Sequence, residues 1–281
     1  MKKYKGYTQS RRNMTTVEYG GLSKIKPMKS ATMGFKNHAG RNNTGRITVR
    51  HQGAGVKQVY RIVDFKHAKM DIPGRIEALE YDPYRSAFIA RVVYKDGERH
   101  YHLAHSKAKV GDSVMASAKA PLKAGNRVPL KKIPAGYSVF NLETRPGGGG
   151  KIIRSAGSAA QVLSHDGDYT QIKMPSGEVR KLPSIGFATL GQVSNPEHNL
   201  VVIGNAGRAR RMGIRPTVRG TAMNPRDHKY GGGEGRQPRG TKRPKDKWGN
   251  ITGGRKTRKP NKWSNILIVT RRVSRRNKNN K

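Results

Sequence analysis

Residues 86–105 read SAFIARVVYKDGERHYHLAH, and this stretch decides the fold class. Its first half is a run of strand-forming residues, and Asp96-Gly97 in the middle is a strong signal for a tight hairpin turn. The second half, RHYHLAH, supplies the returning strand. The stretch therefore predicts a two-stranded hairpin.

Short strands are also predicted on both sides of this hairpin. They cover residues 60–65, 75–81 and 109–115. Together with the hairpin they make five short strands, with a turn roughly every 8–12 residues, and this pattern indicates a small barrel. The strand count fits an OB-type barrel, a fold that binds oligonucleotides.

A second module is predicted over residues 121–200. Its six short strands are expected at residues 127–130, 138–142, 161–164, 170–174, 178–182 and 189–193. Six strands within about 80 residues indicate another small barrel, which we predict to be SH3-like. One helix is predicted, over residues 196–211, with Asn195 as its N-cap and Pro196 in its first turn.

Charge separates this β-rich middle from the ends of the chain. The protein has 58 Lys and Arg side chains against 17 Asp and Glu, a formal net charge of +41. Residues 61–200 hold 13 of the acidic side chains, whereas residues 201–281 hold 24 basic and only 3 acidic ones. A free chain with this imbalance repels itself, so its resident partner is a polyanion.

We therefore predict an all-β protein with long irregular basic extensions at both ends. The predicted segments are a basic N-terminal extension at 1–36, an OB-type RNA-binding domain at 37–120, an SH3-like barrel domain at 121–200 and a basic C-terminal extension at 201–281. Extensions of this composition cannot bury a core, so they gain order only against a partner.

Several classes of protein are excluded by the composition. The chain has no Cys, which rules out a disulfide scaffold, thiolate-bound zinc and thiol catalysis. No apolar run follows the basic first residues, so no secretory signal is expected. The longest apolar runs, such as residues 266–269, are four residues long and far too short to span a bilayer, and we expect no membrane partner.

Two motifs resemble ligand sites but have stronger alternatives. Residues 147–151 read GGGGK, yet they lack the Gly and the Ser or Thr at the spacing of a phosphate-binding loop, which favours a flexible loop lying on RNA. His100, His102 and His105 lie close together, and His100 and His102, on the same side of a strand, have a spacing that suits a metal. No further ligand is obvious nearby, which favours a surface or RNA-facing group.

Asp227-His228 resembles a histidine that a carboxylate has prepared as a general base. No nucleophile lies near it in sequence, and the surrounding glycines and arginines suit close packing against RNA. An RNA contact is therefore favoured over catalysis. We predict that the protein is not an enzyme and carries no cofactor of its own.

Longer motifs resemble the universal large-subunit ribosomal protein two family, in its bacterial or organellar form. They are GRNNTGRITVRHQG (40–53), YRIVDF (60–65), IPGRIEALEYDP (72–83), ARVVYKDGERHY (90–101), RSAGSAAQV (154–162), PSGEVRKL (175–182), RPTVRGTAMNP (215–225), GGGEGR (231–236) and GGRKTRK (253–259). The resemblance covers nearly the whole chain, and VRGTAMNP followed by Asp-His and GGGEGR is very specific.

The resemblance implies an OB-type barrel followed by an SH3-like barrel, with both ends extended into ribosomal RNA. It also implies a structural constituent of the large subunit, a primary rRNA-binding protein that supports subunit association and an organised peptidyl-transferase centre. The implied partners are large-subunit rRNA, neighbouring ribosomal proteins and the small subunit at the intersubunit face. We expect the protein on cytoplasmic ribosomes, with an organellar ribosome left open, and Mg²⁺ only as ions bound through rRNA.

Basic side chains carry most of this predicted function, because each phosphate that Lys or Arg neutralises releases counterions. We predict rRNA contacts at Arg41, Arg46, Arg50, His51, Lys57, Arg154, Arg208, Arg210, Arg211, Arg215, Arg219, Asn224, Asp227, His228, Arg236, Trp248, Arg255, Lys256 and Arg258. Candidate side chains for stacking on exposed bases are Trp248, Trp263, Tyr230 and Tyr60.

The chain departs from the family after Asp227-His228. Where the family has Pro-His, this sequence has Lys229-Tyr230, so the second family histidine is absent. Arg226 also replaces the usual apolar residue. Two other functions stay open on the sequence alone, namely direct participation of His228 in peptidyl transfer and a free nucleic-acid regulator.

Overall fold

The computed structural model describes residues 1–234, 239–254 and 256–272. Contacts between residues divide this part of the chain into two units. The first unit contains residues 1–36, 57–208 and the described residues from Ile266 onward, and the second contains residues 37–56 and 209–265 apart from the gaps. Both predicted barrels belong to the first unit.

Eight short strands form the first part of the first unit. They are β1 (Lys2–Lys3), β2 (Thr15–Thr16), β3 (Thr32–Gly34), β4 (Val59–Arg61), β5 (Gly74–Glu80), β6 (Ile89–Tyr94), β7 (Arg99–Leu103) and β8 (Ser113–Val114). The last four make a sheet in the order β7-β6-β5-β8, and β1 with β2 and β3 with β4 make two-stranded ribbons. A short helix, α1 (Gln9–Arg12), follows β1.

The predicted hairpin is confirmed. β6 and β7 pair antiparallel with Val93 opposite Arg99, and Gly97 closes the turn with a φ of +82°. Its N–H donates to the carbonyl of Tyr94 at 3.0 Å. The inner faces of the sheet bury Ile76, Ala90, Val92, Tyr94 and Ala104 in one cluster and Val63, Ile89 and Tyr101 in another. Alternation of apolar and polar residues along the strands produces these buried faces.

Nine further strands build the second barrel. They are β9 (Arg127–Pro129), β10 (Ser138–Phe140), β11 (Leu142–Glu143), β12 (Gly150–Ile152), β13 (Ala160–Asp166), β14 (Tyr169–Lys173), β15 (Val179–Pro183), β16 (Phe187–Leu190) and β17 (Ile268–Thr270). Seven of them form one sheet in the order β17-β15-β14-β13-β10-β16-β9. Its core contains Val128, Leu130, Ile133, Val139, Leu142, Val162, Ile172, Leu182 and Leu190.

In the part of the chain that the structure describes, five strands were not predicted: β1, β2 and β3 in the N-terminal segment expected to be irregular, then β12 and β17. β17 lies in the C-terminal segment that the sequence indicated to be irregular, and it pairs with the edge of β15, where Arg180 lies opposite Ile268. Unpaired backbone groups on an edge strand attract another strand, and the apolar run 266–269 supplies one. The prediction of an irregular C-terminal extension over residues 201–281 is therefore wrong at this strand.

The predicted helix over 196–211 is also wrong as a single element. The chain forms a 3-10 turn at Pro196–Leu200 and then the helix α2 (Ala206–Arg211). Between them Gly204 has a φ of +68°, and a Cβ there would lie 2.6 Å from the carbonyl oxygen of Ser10. Asn195 makes no side-chain cap, and its amide donates instead to the carbonyl of Ser86 at 2.7 Å. Other 3-10 turns cover Lys29–Ala31, Leu130–Lys132, Gly220–Ala222 and Trp263–Asn265.

Two imidazoles stack within the first unit. The rings of His67 and His102 lie 4.2 Å apart, and Nε2 of His102 shares a 2.9 Å hydrogen bond with the hydroxyl of Tyr94. Burial lowers the pKa of His102 to about 4 and lowers the pKa of His67 as well. Both rings are therefore neutral in the folded protein near neutral pH.

In the unfolded chain these imidazoles become protonated near pH 6.5, whereas in the folded chain His102 stays neutral down to about pH 4. Their contribution to the free energy of unfolding should therefore be complete above about pH 6.5 and should decrease as the pH falls toward 4. From His102 alone we expect a loss of about 2 kcal/mol in the free energy of unfolding between about pH 7.5 and about pH 5. Urea titrations of the full chain measure it. His102→Gln should reduce this loss of stability, whereas His198→Gln, which replaces an exposed imidazole, should not. If the free energy of unfolding depended on pH equally in the unmodified chain and both variants, His102 would not be its source.

Candidate nucleic-acid interface

An aromatic cleft of about 330 Å³ lies in the first unit where the two barrels meet. It is lined by Tyr60, Phe65, Tyr84, Arg85, Ser86, Leu103, Arg154 and Ser155. The rings of Tyr60 and Tyr84 are 5.5 Å apart, and Phe35 lies 6.0 Å and 5.8 Å from them. Phe35 and Tyr84 are exposed, so the cleft presents π-faces to solvent.

Arg85 is fixed against one wall of the cleft. Its guanidinium pairs with the fully buried carboxylate of Asp82 and donates to the hydroxyl of Tyr60 at 2.9 Å. It lies 5.1 Å from the centre of the Tyr60 ring and 5.6 Å from that of Phe65. The carboxylate and the two rings hold the Arg85 guanidinium in one orientation in the wall of the cleft.

Arg154 reaches the cleft from the second barrel. Its guanidinium lies 4.3 Å from the centre of the Phe65 ring, and it donates to the carbonyl of Gly150 at 3.4 Å. The N–H of Gly150 in turn donates to the carbonyl of Phe65 at 2.8 Å. The cleft therefore receives one arginine from each barrel.

The glycine run 147–150 connects β11 to β12. It is a hairpin connection and not the strand–loop–helix setting of a phosphate-binding loop. Gly147 N–H donates to the carboxylate of Glu143 at 3.1 Å, so the loop is anchored at its start. A larger groove of about 630 Å³ runs along this loop, and its basic side chains are Lys66, Arg99, Lys151 and Arg154.

Among the aromatic and charged side chains that line the cleft, sequence reasoning missed Phe65, Tyr84 and Arg85, and it also missed Phe35 beside them. The available signal was Asp82-Pro83-Tyr84-Arg85, which was interpreted only as a turn between strands. An acidic residue three positions before an arginine permits the ion pair that the structure shows. Tyr60, a predicted stacking residue, does lie in the cleft.

The three histidines of residues 100–105 do not converge. His102 is buried beside Tyr94, and His105 packs its ring against Gly125. His100 lies 3.4 Å from the carboxylate of Glu98. Within the described ranges no group of three or more His, Asp or Glu side chains is arranged to hold a metal ion.

Backbone pairing joins the two segments of the second unit. Gln52 forms an antiparallel bridge with Ile214, and the N–H of Gly53 donates to the carbonyl of Gly213 at 2.7 Å. The guanidinium of Arg50 is left exposed by this pairing. The backbone thus fixes the loop while its cations face outward.

The predicted contact residues are distributed over both units. Lys57, Arg154 and Arg208 belong to the first. The second holds Arg41, Arg46, Arg50, His51, Arg210, Arg211, Arg215, Arg219, Asn224, Asp227, His228, Trp248, Lys256 and Arg258. Arg236 and Arg255 lie outside the described residues. All the described lysines and arginines among them are exposed except Arg208, which is half-buried.

His228 occupies a tight pocket of backbone in the second unit. Its Nδ1 accepts a hydrogen bond of 3.1 Å from the N–H of Tyr230, and a Cβ at Gly220 would lie 2.5 Å from the ring. Because Nδ1 is the acceptor, the neutral ring carries its proton on Nε2. His228 is therefore arranged as a hydrogen-bond donor.

Asp227 does not complete a general-base pair. Its carboxylate lies 3.7 Å from Nε of Arg226, and no hydrogen bond joins it to His228 in the described part of the chain. The side chains of Asp227 and His228 therefore contact different groups. This geometry agrees with the prediction that the dipeptide is a weak candidate for a general base.

Comparison with protein families decides the relationship. Residues 28–116 match the family model described as Ribosomal Proteins L2, RNA binding N-terminal domain. Residues 123–249 match the model described as Ribosomal Proteins L2, C-terminal domain. The chain belongs to the ribosomal protein L2 family.

Membership of the L2 family confirms the predicted fold class, an OB-type barrel followed by an SH3-like barrel, and the predicted resemblance. It also assigns the chain a structural RNA-binding role in the large ribosomal subunit, with rRNA as a partner. In the described residues no helix is long and apolar enough to cross a membrane. The individual rRNA contacts stay predictions.

The tautomer of His228 can be measured directly. In the full chain, the ¹⁵N shifts of this imidazole should report an unprotonated Nδ1 and a protonated Nε2, because Nδ1 accepts the N–H of Tyr230. Gly220→Ala should displace the ring, since the added methyl group would overlap it. A ring protonated on Nδ1 in the unmodified chain would contradict this arrangement.

Proposed function

We propose that this L2 family chain is a primary rRNA-binding protein that supports subunit association and the organisation of the peptidyl-transferase centre. The observation that carries the rRNA-binding part is the preorganised cleft of Tyr60, Tyr84, Arg85 and Arg154. The roles in subunit association and in the peptidyl-transferase centre rest on the family resemblance.

The cleft suits a segment of RNA whose bases are not paired. Every base has a π-face that can stack on Tyr60 or Tyr84, and such stacking is worth about 1–3 kcal/mol per base. Arg154 adds a cation that packs against the ring of Phe65. Double-helical RNA hides base edges in its deep groove, so a cleft of this type favours loops and bulges.

The exposed cations of both units supply the sequence-independent part of the binding. Their number favours contacts to phosphates, with Mg²⁺ entering only through the rRNA. We propose as rRNA contacts the described residues predicted from the sequence, with Tyr84 and Arg85 added. Neighbouring ribosomal proteins and the small subunit are further proposed partners, on a ribosome of the cytoplasm or of an organelle.

Direct catalysis by His228 is the alternative. A general base must offer a free lone pair to the proton that it removes. In His228 the Nδ1 lone pair accepts a backbone N–H, and Nε2 carries the proton. These features favour a donor to an RNA oxygen or nitrogen over a base.

Arg154→Gln tests the cleft. We expect about a tenfold loss of affinity for large-subunit rRNA. The slope of log affinity against log salt concentration should also become shallower by about the amount that one phosphate contact contributes. Arg75→Gln is the matched control, because it removes an exposed arginine that lies outside the residues lining the cleft. Filter binding over a salt series measures both quantities, and equal effects of the two substitutions would reject the cleft as a specific site.

Two substitutions of His228 separate the alternatives. If the ring is a donor, His228→Gln should retain more assembly into large subunits than His228→Ala, because only the amide can still donate. Peptidyl transfer should then fall in step with assembly. Normal assembly of His228→Ala subunits, with a selective loss of peptidyl transfer and of its pH dependence, would favour direct chemistry.

A further inference from the structure

Trp248 lies at the tip of a small hairpin loop in the second unit. Lys245 and Ile251 form the antiparallel bridge at its base, and the N–H of Thr252 donates to the carbonyl of Pro244 at 2.9 Å. The indole is 67% exposed. A large aromatic ring held out from the chain in this way marks a contact surface.

Asp246 shapes the loop that carries this tryptophan. One oxygen of its carboxylate accepts the N–H of Trp248 at 3.0 Å and that of Asn250 at 2.8 Å. The other oxygen accepts the side-chain amide of Asn250 at 3.2 Å. Gly249 completes the turn with a φ of +89°, a conformation that favours glycine. The loop is thus preorganised before any partner arrives.

Two cations lie against the exposed indole. The Lys247 ammonium is 4.6 Å and the Arg50 guanidinium 5.9 Å from the centre of the ring. An apolar protein partner would have to remove water from both charges. A nucleotide has the complementary chemistry, since its base stacks on the ring while its phosphates pair with the cations.

Lys229 and Tyr230, two of the residues that depart from the family pattern, both contact this loop. The hydroxyl of Tyr230 accepts the N–H of Lys245 and shares a 3.1 Å hydrogen bond with the hydroxyl of Thr241. The side chain of Lys229 crosses the turn, because a Cβ at Gly249 would lie 2.6 Å from its Cε. Lys229-Tyr230 therefore supports the loop from its base and its tip.

We infer that Trp248, Arg50 and Lys247 form a site for one unpaired nucleotide of rRNA, with Asp246 and Tyr230 as positioning residues. The inference rests on the proposed rRNA-binding function and names the chemistry of a second contact, separate from the cleft. The site tolerates any base, because stacking uses the π-face and not the hydrogen-bonding edge. Tyr230 stands where the family has histidine, so in this chain the loop is supported by a phenol.

The two tryptophans of the chain allow a direct test. In the full-length Trp263→Phe variant, Trp248 is the only source of indole fluorescence. Short single-stranded oligoadenylate should quench this emission, whereas inorganic polyphosphate, which has the charge but no base, should bind without comparable quenching. Trp248→Phe, which retains Trp263, is the reciprocal control.

Variants of the supporting residues sharpen the result. Trp248→Ala should weaken oligoadenylate binding about tenfold, the effect of one stacked base. Tyr230→Phe removes only the hydroxyl, so it should reduce the quenching of Trp248 while the affinity for polyphosphate stays unchanged. Asp246→Asn should act in the same direction, because its amide cannot accept all three hydrogen bonds as a carboxylate does.

Each other outcome overturns the inference in a recognisable way. Oligoadenylate binding without quenching of Trp248 would reject the stacking site and leave the proposed function intact. Absence of binding to any RNA would reject both. Equal quenching by polyphosphate would show that the cations alone perturb the ring. Quenching that occurs only when other ribosomal proteins are added to rRNA would show that Trp248 contacts protein.

Discussion

Electrostatic self-repulsion is the constraint on which the rest of this structure depends. With 58 basic and 17 acidic side chains, the chain can bury charge only where a carboxylate is available. Arg127 illustrates the solution: it is almost completely buried, and its guanidinium pairs with Glu143 at 2.9 Å and donates to the carbonyl of Asn141 at 2.7 Å. Arg91 is paired with Glu80 in the same manner. The scarce acids thus stabilise the barrels, and most of the remaining cations stay outside for a polyanion.

Docking of the two barrels creates a site that neither barrel has alone. Backbone and side-chain hydrogen bonds join them, including Ser194 N–H to the carbonyl of Ala104 at 3.0 Å and Gly150 N–H to that of Phe65 at 2.8 Å. These contacts bring Arg154 of the second barrel to the wall that holds Arg85 of the first. Arg85 holds the Tyr60 and Phe65 rings of this cleft, so the proposed RNA site should need little reorganisation, and this lowers the cost of binding.

The sequence predicted those features that local chemistry controls. The strand pattern and the Asp96-Gly97 turn predicted the hairpin correctly, and the charge distribution predicted where the cores lie. Features that depend on distant contacts were missed. Gly204 interrupts the predicted helix through its approach to Ser10, and β17 exists because β15 offers an open edge. The Arg85 site was missed for the same reason, since its aromatic wall comes from segments that are separate in sequence.

The central claim is that this L2 family chain is an integral rRNA-binding component of the large subunit. Sedimentation of tagged full-length protein from a lysate through sucrose gradients at rising salt tests it most directly. Many phosphate contacts combined with fixed stacking sites should keep the protein with the large subunit at salt concentrations that strip loosely bound basic proteins. Release into the light fractions at modest salt would contradict the account and indicate a free nucleic-acid regulator.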